Sequence, residues 1–284
     1  MGALQNKIAV ITGSSRGFGL AMARAFASEG ASVVLASRSD AAIQTAVESL
    51  RATGAQATGI VCDTSHMAQV EALGEFAVKT FGHFDVWINN AGISPTYGPT
   101  VHIQPEEFIT TTQTNVLGTY YGSVVAMRHF LPRHSGKLIN IIGAGARGPA
   151  PMQSAYGSSK AWIRNFTLAL AKEYTEGGVG VYAFSPGMMT TEMLTDVHVV
   201  AGYEHLLKSF PKVVRALAKP PEVPARKAVW LASSATDGRT GFEVYLFNPV
   251  TALAGFARES LRRLAGQTDD LPRLNITSVP PAIP

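Results

Sequence analysis

Two sets of side chains in this sequence are of types, and at spacings, that do chemistry. The first is the turn Thr12-Gly13-Ser14-Ser15-Arg16-Gly17-Phe18-Gly19. Glycines let a backbone turn tightly and approach a pyrophosphate, and the N–H groups and positive dipole of a following helix stabilise the anion. The same residues also make a plain strand-to-helix connection, so context decides between the two readings. The second set is Tyr156 and Lys160, four residues apart, which a helix projects from one face a single turn apart. A nearby ammonium favours phenolate, lowering the tyrosine pKa towards the range in which a phenol passes a proton. On spacing alone, such a pair is equally a surface contact.

The elements that must position these residues follow from the apolar pattern. Strands are predicted over 7–12, 32–36, 59–62, 85–89, 137–142, 180–184 and 243–247. Helices are predicted over 18–29, 40–52, 65–81 with Ser65 as cap, 105–131, 155–174, 225–233 and, amphipathically, 252–264. Strands and helices in alternation give an α/β fold: one doubly wound parallel sheet of about seven strands, helices on both faces, ligand crevice at the carboxyl ends. The glycine turn falls at such an end. Residues 1–250 form a single domain in this reading, with a substrate lid at about 188–220 and a C-terminal extension over 251–284. The extension would cover the mouth of the pocket, contact a partner subunit or stay mobile.

Composition narrows the classes. With 284 residues, 46% of them apolar and 15% charged, the chain builds a large core and needs no covalent staple. The single cysteine, Cys62, excludes an intramolecular disulfide framework and any multi-cysteine metal site, so no metal is expected and a reducing, cytoplasmic compartment is. The opening MGALQNKIAVITG predicts no secretion signal, and no apolar run is long enough for a membrane span. The net charge of +4 and pI near 9.2 come from scattered bases, which predicts a solvated surface and no nucleic-acid partner.

TGSSRGFG, Asn89-Asn90-Ala91-Gly92, Asn115, Tyr156-Gly157-Ser158-Ser159-Lys160 and Ser185-Pro186-Gly187 together resemble the short-chain dehydrogenase/reductase family, in order and spacing, over about residues 5–247. The resemblance implies a Rossmann-like sheet, a nicotinamide cofactor held at Gly13, Ser15, Arg16, Gly17, Phe18 and Gly19, and a small-molecule carbonyl substrate. At the end of the second strand Ser37 stands where the family places an acid for the ribose of NAD, and Arg38 follows. Arg38 and Arg16 would flank a 2′-phosphate through charge-assisted bonds, so NADP(H) is expected; the alternative is an Arg38 that merely lies on the surface. Asp63, with Thr64 beside it, matches the position that accepts a bond from the adenine amino group, and equally fits a helix cap. Asn90, Ala91 and Gly92 would contact the adenosine side through backbone, while Pro186, Gly187, Met189 and Thr191 would hold the nicotinamide carboxamide.

The resemblance makes Tyr156 the general acid for carbonyl reduction, Lys160 the holder of the nicotinamide ribose, and Asn115 the anchor of a water relay. Asn115 also reads as a buried polar residue serving its own helix. A homodimer or homotetramer is implied, through the helices carrying Asn115 and Tyr156. One departure is serious: the family serine thirteen residues before the tyrosine is Gly143 here. Losing one such donor costs about a hundredfold to a thousandfold in rate unless another takes over. The Gly143-Ala144-Gly145 amides, Gln153 and Ser154 are candidates, and restoring a serine at Gly143 is expected to raise the rate if that hydroxyl limits catalysis. The departure also motivates an alternative, a non-catalytic NADP-binding sensor or scaffold.

Overall fold

Five consecutive buried residues form strand β1 (Ile8–Thr12), and their alternation feeds two cores. Ile8 and Val10 pack on one side of the sheet, Ala9 and Ile11 on the other, as the period of two requires of a strand covered on both faces. The computed structural model describes residues 2–265 and 271–283. After β1 come α1 (Gly17–Ser28), β2 (Ser32–Ser37), α2 (Asp40–Arg51), β3 (Ala57–Val61), α3 (Met67–Phe81) and β4 (Val86–Asn89). The second half runs α4 (Pro105–Thr111), α5 (Gly118–Phe130), β5 (Gly136–Ile141), α6 (Ser154–Glu173) and β6 (Val179–Ser185). Then follow α7 (Glu192–Thr195), β7 (Asp196–Val200), α8 (Phe210–Leu217), α9 (Glu222–Ala232), β8 (Phe242–Tyr245), α10 (Pro249–Leu264) and β9 (Asn275–Val279).

Seven strands form one parallel sheet in the order β3-β2-β1-β4-β5-β6-β8, confirming the doubly wound reading. One core holds Phe18, Met22 and Phe26 of α1, Ile43 and Leu50 of α2 and Leu231 of α9; the other holds Val70 and Leu73 of α3, Met127 and Phe130 of α5 and Leu170 of α6. Each such side chain contributes about 1.5–3 kcal/mol by leaving water. Strand order reverses between β1 and β4, which opens the ligand crevice at their carboxyl ends.

Three features depart from the sequence reading. The helix expected over 105–131 is interrupted by a π-helical turn at Thr112–Leu117, which carries Asn115. The cap of α3 is His66, not Ser65. The C-terminal extension packs on the segment 188–220: β9 pairs in parallel with β7, and α10 lies on α8. Neither lid strand nor tail strand stands out in the local pattern, because β7 and β9 are half-exposed ribbons whose stability comes from each other.

Candidate active site

The glycine turn is built by backbone geometry. Gly13 and Gly17 have φ of +61° and +55°, values that side chains with a Cβ resist. A Cβ on Gly19 would stand 2.2 Å from the Gly13 carbonyl oxygen and 2.7 Å from Asn90 Nδ2. Asn90 therefore presses on the turn, donating from Nδ2 to the carbonyls of Thr12 and Gly13 at 2.9 and 3.0 Å. The Thr12 hydroxyl accepts from the amides of Asn90 and Ala91 at 3.0 and 3.1 Å, locking β1 to β4 at the crevice. Arg16 stands at the cap position of α1 in extended conformation without a side-chain capping bond, while Phe18 is buried against Phe184. Ser15 lies half-buried on the turn. Arg16 pairs with Glu192 of α7, and the Thr191 methyl stands 3.7 Å from where a Gly17 Cβ would be. The segment after β6 thus closes over the turn, its Met189 bridged to Lys219 and its Gly187 at φ +81°, following the buried Pro186.

At the end of β2, Ser37 is half-buried and Arg38 exposed. Asp63 accepts from the Ser65 amide and hydroxyl at 3.0 and 2.7 Å, which braces the turn before α3 and does not cap that helix, whose cap is His66. Desolvation opposes its ionisation, but the Ser65 bonds and the charges of His66 and Arg38 hold its carboxyl below the usual range. Thr64 is buried against Gly118 of α5, where a Cβ would lie 2.8 Å from its hydroxyl oxygen. Cys62 is inert as a nucleophile, because burial and the neighbouring Asp63 push its thiol up to about 12.

Tyr156 and Lys160 share one face of α6, with Lys160 Nζ 5.6 Å from the Tyr156 ring centre. Lys160 is buried and donates to the Ile141 carbonyl at the end of β5, 3.0 Å away. Asn115 grips Ile93 at both backbone groups, at 2.9 and 3.0 Å, and donates to Ser159 at 3.1 Å. Its side chain therefore braces the loop after β4 against α6, and does not serve its own helix. Gly92 completes the cluster: a Cβ there would lie 3.3 Å from Asn115 Oδ1 and 3.6 Å from Lys160 Nζ. Burial lowers Lys160 to about 8 and pushes Tyr156 up to about 12. The expected lowering of Tyr156 is thus reversed in the chain's own atoms, where desolvation outweighs an ammonium that bonds elsewhere.

Gly143 has a steric reason. A Cβ on it would lie 2.7 Å from Tyr156 Oη, so the tyrosine hydroxyl occupies the space a serine would need. Ala144 is exposed on the same loop, and Gln153 Nε2 donates to Ser94 Oγ at 3.3 Å. Sequence reasoning missed two supports. Arg147 of this loop and Arg164 of α6 both pair with Glu243 of β8, at 3.0 and 2.5 Å, and the Arg147 guanidinium lies 3.8 Å over the Tyr245 ring. Beneath the site, Asn89 Nδ2 lies 2.9 Å from Asn140 Oδ1 and 3.1 Å from Ser123 Oγ, and Asn140 donates to Thr167, joining β4, β5, α5 and α6. The lone acid in the last strand and the paired strand asparagines were the available signals.

A cavity of about 290 Å³, lined by Pro95, Ile103, Phe108, Ile109, Met152 and Gln153, opens beside the start of α6. Another, of about 330 Å³, lies at the amino ends of the strands around Lys7, Gly136 and Val179, away from Tyr156. Among the described residues no group of three or more His, Cys, Asp or Glu is placed to hold a metal ion, and no helix is long and apolar enough to cross a membrane.

A nucleotide-type crevice at a strand-order reversal, with a tyrosine and lysine at its floor, defines an oxidoreductase of the Rossmann type. The family model described as short chain dehydrogenase matches residues 7–199, and the chain belongs to that family. It is 34% identical over 259 residues to 3beta-hydroxysteroid dehydrogenase 1 of Eggerthella lenta, covering 89% of this chain and 97% of that one. Actinorhodin polyketide ketoreductase, solved as a tryptophan variant with NADPH, superposes with a TM-score of 0.77 at 26% identity, covering 87% of this chain and 97% of that one. The 3-ketoacyl-(acyl-carrier-protein) reductase of Brucella melitensis, solved with NADH, gives 0.77 at 30% identity, covering 86% and 97%. The chain is an enzyme, and its relatives' names do not favour the sensor or scaffold alternative.

Proposed function

We propose that this enzyme reduces a ketone or aldehyde on a hydrophobic small molecule, using NADPH, with Tyr156 as the proton donor. The observation that carries the reading is the convergence of Tyr156, Lys160 and Asn115 at the carboxyl ends of β4 and β5. The residues fit a dinucleotide: a Cβ on Gly13 would strike Ala91 at 2.8 Å, so the turn keeps its backbone bare beside the crevice. Gly13, Ser15, Gly17, Phe18 and Gly19 would hold the pyrophosphate through backbone. Arg16 and Arg38, with Ser37, would flank the 2′-phosphate. Asp63 and Thr64 would take the adenine side with Asn90, Ala91 and Gly92, and Pro186, Gly187, Met189 and Thr191 the carboxamide. When bound, the nicotinamide supplies the hydride.

The protein's part is the proton. The Tyr156 O–H bond breaks as the substrate oxygen takes the proton, and the phenolate left behind is stabilised by the Lys160 ammonium. Lys160, lowered to about 8 by burial, can also return a proton near neutral pH. Asn115 holds Ile93 and Ser159 so that Lys160 keeps its place, and a water on its main-chain carbonyl would link the lysine to solvent. Gly143, Ala144 and Gln153 would line the substrate side, and the adjoining apolar cavity supports a hydrophobic substrate. NADPH is favoured over NADH by Ser37 and Arg38, where an acid would repel the phosphate. We place the enzyme in the cytoplasm as a homodimer or homotetramer. Support comes from the single buried cysteine and from Tyr120 and Trp162, which are exposed on α5 and α6.

The test is cofactor oxidation with NADPH and NADH against a panel of hydrophobic ketones and aldehydes. Wild type is expected to turn over with NADPH, and Tyr156→Phe to lose at least about a hundredfold in kcat with NADPH affinity unchanged. Arg38→Asp is expected to weaken NADPH and favour NADH. Full activity in Tyr156→Phe overturns the proton donor; equal wild-type use of NADH overturns the cofactor choice.

A further inference from the structure

Helix α10 packs on α8. A Cβ on Gly255 would stand 2.5 Å from the Ala216 carbonyl, and one turn on, Glu259 makes a buried two-pronged ion pair with Arg215 of α8, at 2.9 and 2.5 Å. On the opposite side Val250, Leu253, Ala254, Ala257, Leu261 and Leu264 fall within an arc of roughly 100° along about 21 Å of helix. This stripe is turned to solvent: Val250, Leu253, Leu261 and Leu264 are 75%, 73%, 66% and 85% exposed. A surface helix normally spends such residues on the core, so the apolar stripe is on the wrong side for folding alone.

Charge says what the stripe meets. Arg258 and Arg262, both exposed, lie along one flank of it. The helix carries one carboxylate, Glu259, and that is turned inward against Arg215. An apolar stripe edged by arginines, with no exposed acid on the helix, matches the in-plane seat of a helix at an anionic bilayer. A second copy seated antiparallel is the poorer occupant, because that two-fold pairing sets the two copies' arginines along one seam without intervening acids.

We infer that α10 is a docking surface for an anionic lipid bilayer, its Val250-to-Leu264 stripe seated among the acyl chains and Arg258 and Arg262 at the lipid phosphates. Flotation of the full chain with vesicles tests this, comparing phosphatidylcholine alone with phosphatidylcholine plus phosphatidylglycerol. Partitioning onto the anionic vesicles is expected to be stronger by roughly thirtyfold, about fivefold per arginine, and to weaken with salt. Leu253→Ser/Leu261→Ser is expected to abolish flotation, and Arg258→Gln/Arg262→Gln to erase the preference for anionic lipid. Both should leave the melting temperature and NADPH turnover unchanged, because these side chains are exposed. No flotation on either vesicle, or equal flotation on both, overturns the inference. So does a wild-type dimer that light scattering shows Leu253→Ser/Leu261→Ser to dissociate while flotation is absent.

Discussion

At the residue scale, the tyrosine hydroxyl and the missing serine are one fact. Tyr156 Oη sits where a side chain on Gly143 would go, 2.7 Å from an ideal Cβ. The expectation that a restored serine speeds the reaction therefore reverses. Gly143→Ala and Gly143→Ser should both displace the hydroxyl and lower kcat by roughly tenfold to a hundredfold, the scale of a misplacement near 1 Å. A faster Gly143→Ser enzyme, in steady-state assay, would show that the ring yields and that the added hydroxyl is useful. The buried pair also sets a pH signature. Lys160 is lowered from 10.5 to about 8, so between those values the unfolded chain holds a proton that the folded one lacks, and stability rises with pH. Tyr156, raised from 10.0 to about 12, does the opposite above pH 10. Melting temperatures of Lys160→Met against wild type should lose part of the rise between pH 8 and 10; parallel curves would place the lysine's titration elsewhere.

At the element scale, β9 is expected to hold the lid in place. Five residue pairs in register, from Asp196 with Asn275 to Val200 with Val279, join it to β7, and Ala282 donates onward to the His102 carbonyl in the loop between β4 and α4. Removing residues 271–284 should raise KM several-fold and speed amide exchange across Asp196–Val200, with NADPH affinity unchanged; intact protection there would assign the lid's order to α8 instead. The catalytic motifs were legible because their chemistry is local: Tyr156 and Lys160 need only one helical turn, and Gly13 to Gly19 only one strand end. The β7 to β9 pairing was not, because the Asp-Val-His-Val alternation of β7 is only four residues long and its partner strand lies across the chain. The π-turn at Asn115 was hidden for a related reason, since it adds one residue to a helix whose apolar spacing continues on either side. Asp63 read both ways, and its bonds to Ser65 tie the turn before α3 without capping the helix.

At the scale of the whole molecule, Tyr120 and Trp162 lie exposed at 42% and 38%, with Phe166 T-shaped to the first and stacked on the second at 4.8 Å. If these helices form the subunit contact, Trp162→Glu should shift the protein to a smaller species by light scattering while the isolated subunit keeps its cofactor affinity. An unchanged mass would move the contact elsewhere. The β7 to β9 ribbon has a further consequence in the order in which the chain is made. Asp196 meets a partner 79 residues later, whereas the seven-stranded sheet already has its last strand at Phe242–Tyr245. At about 5–20 residues per second of synthesis, roughly 4 to 16 seconds separate the two strands. Only for the last 30 of those residues, from Tyr245 to Asn275, have all seven strands of the sheet been made while β7 still shows an open edge, so the chain completes its sheet before it makes the strand that closes this ribbon.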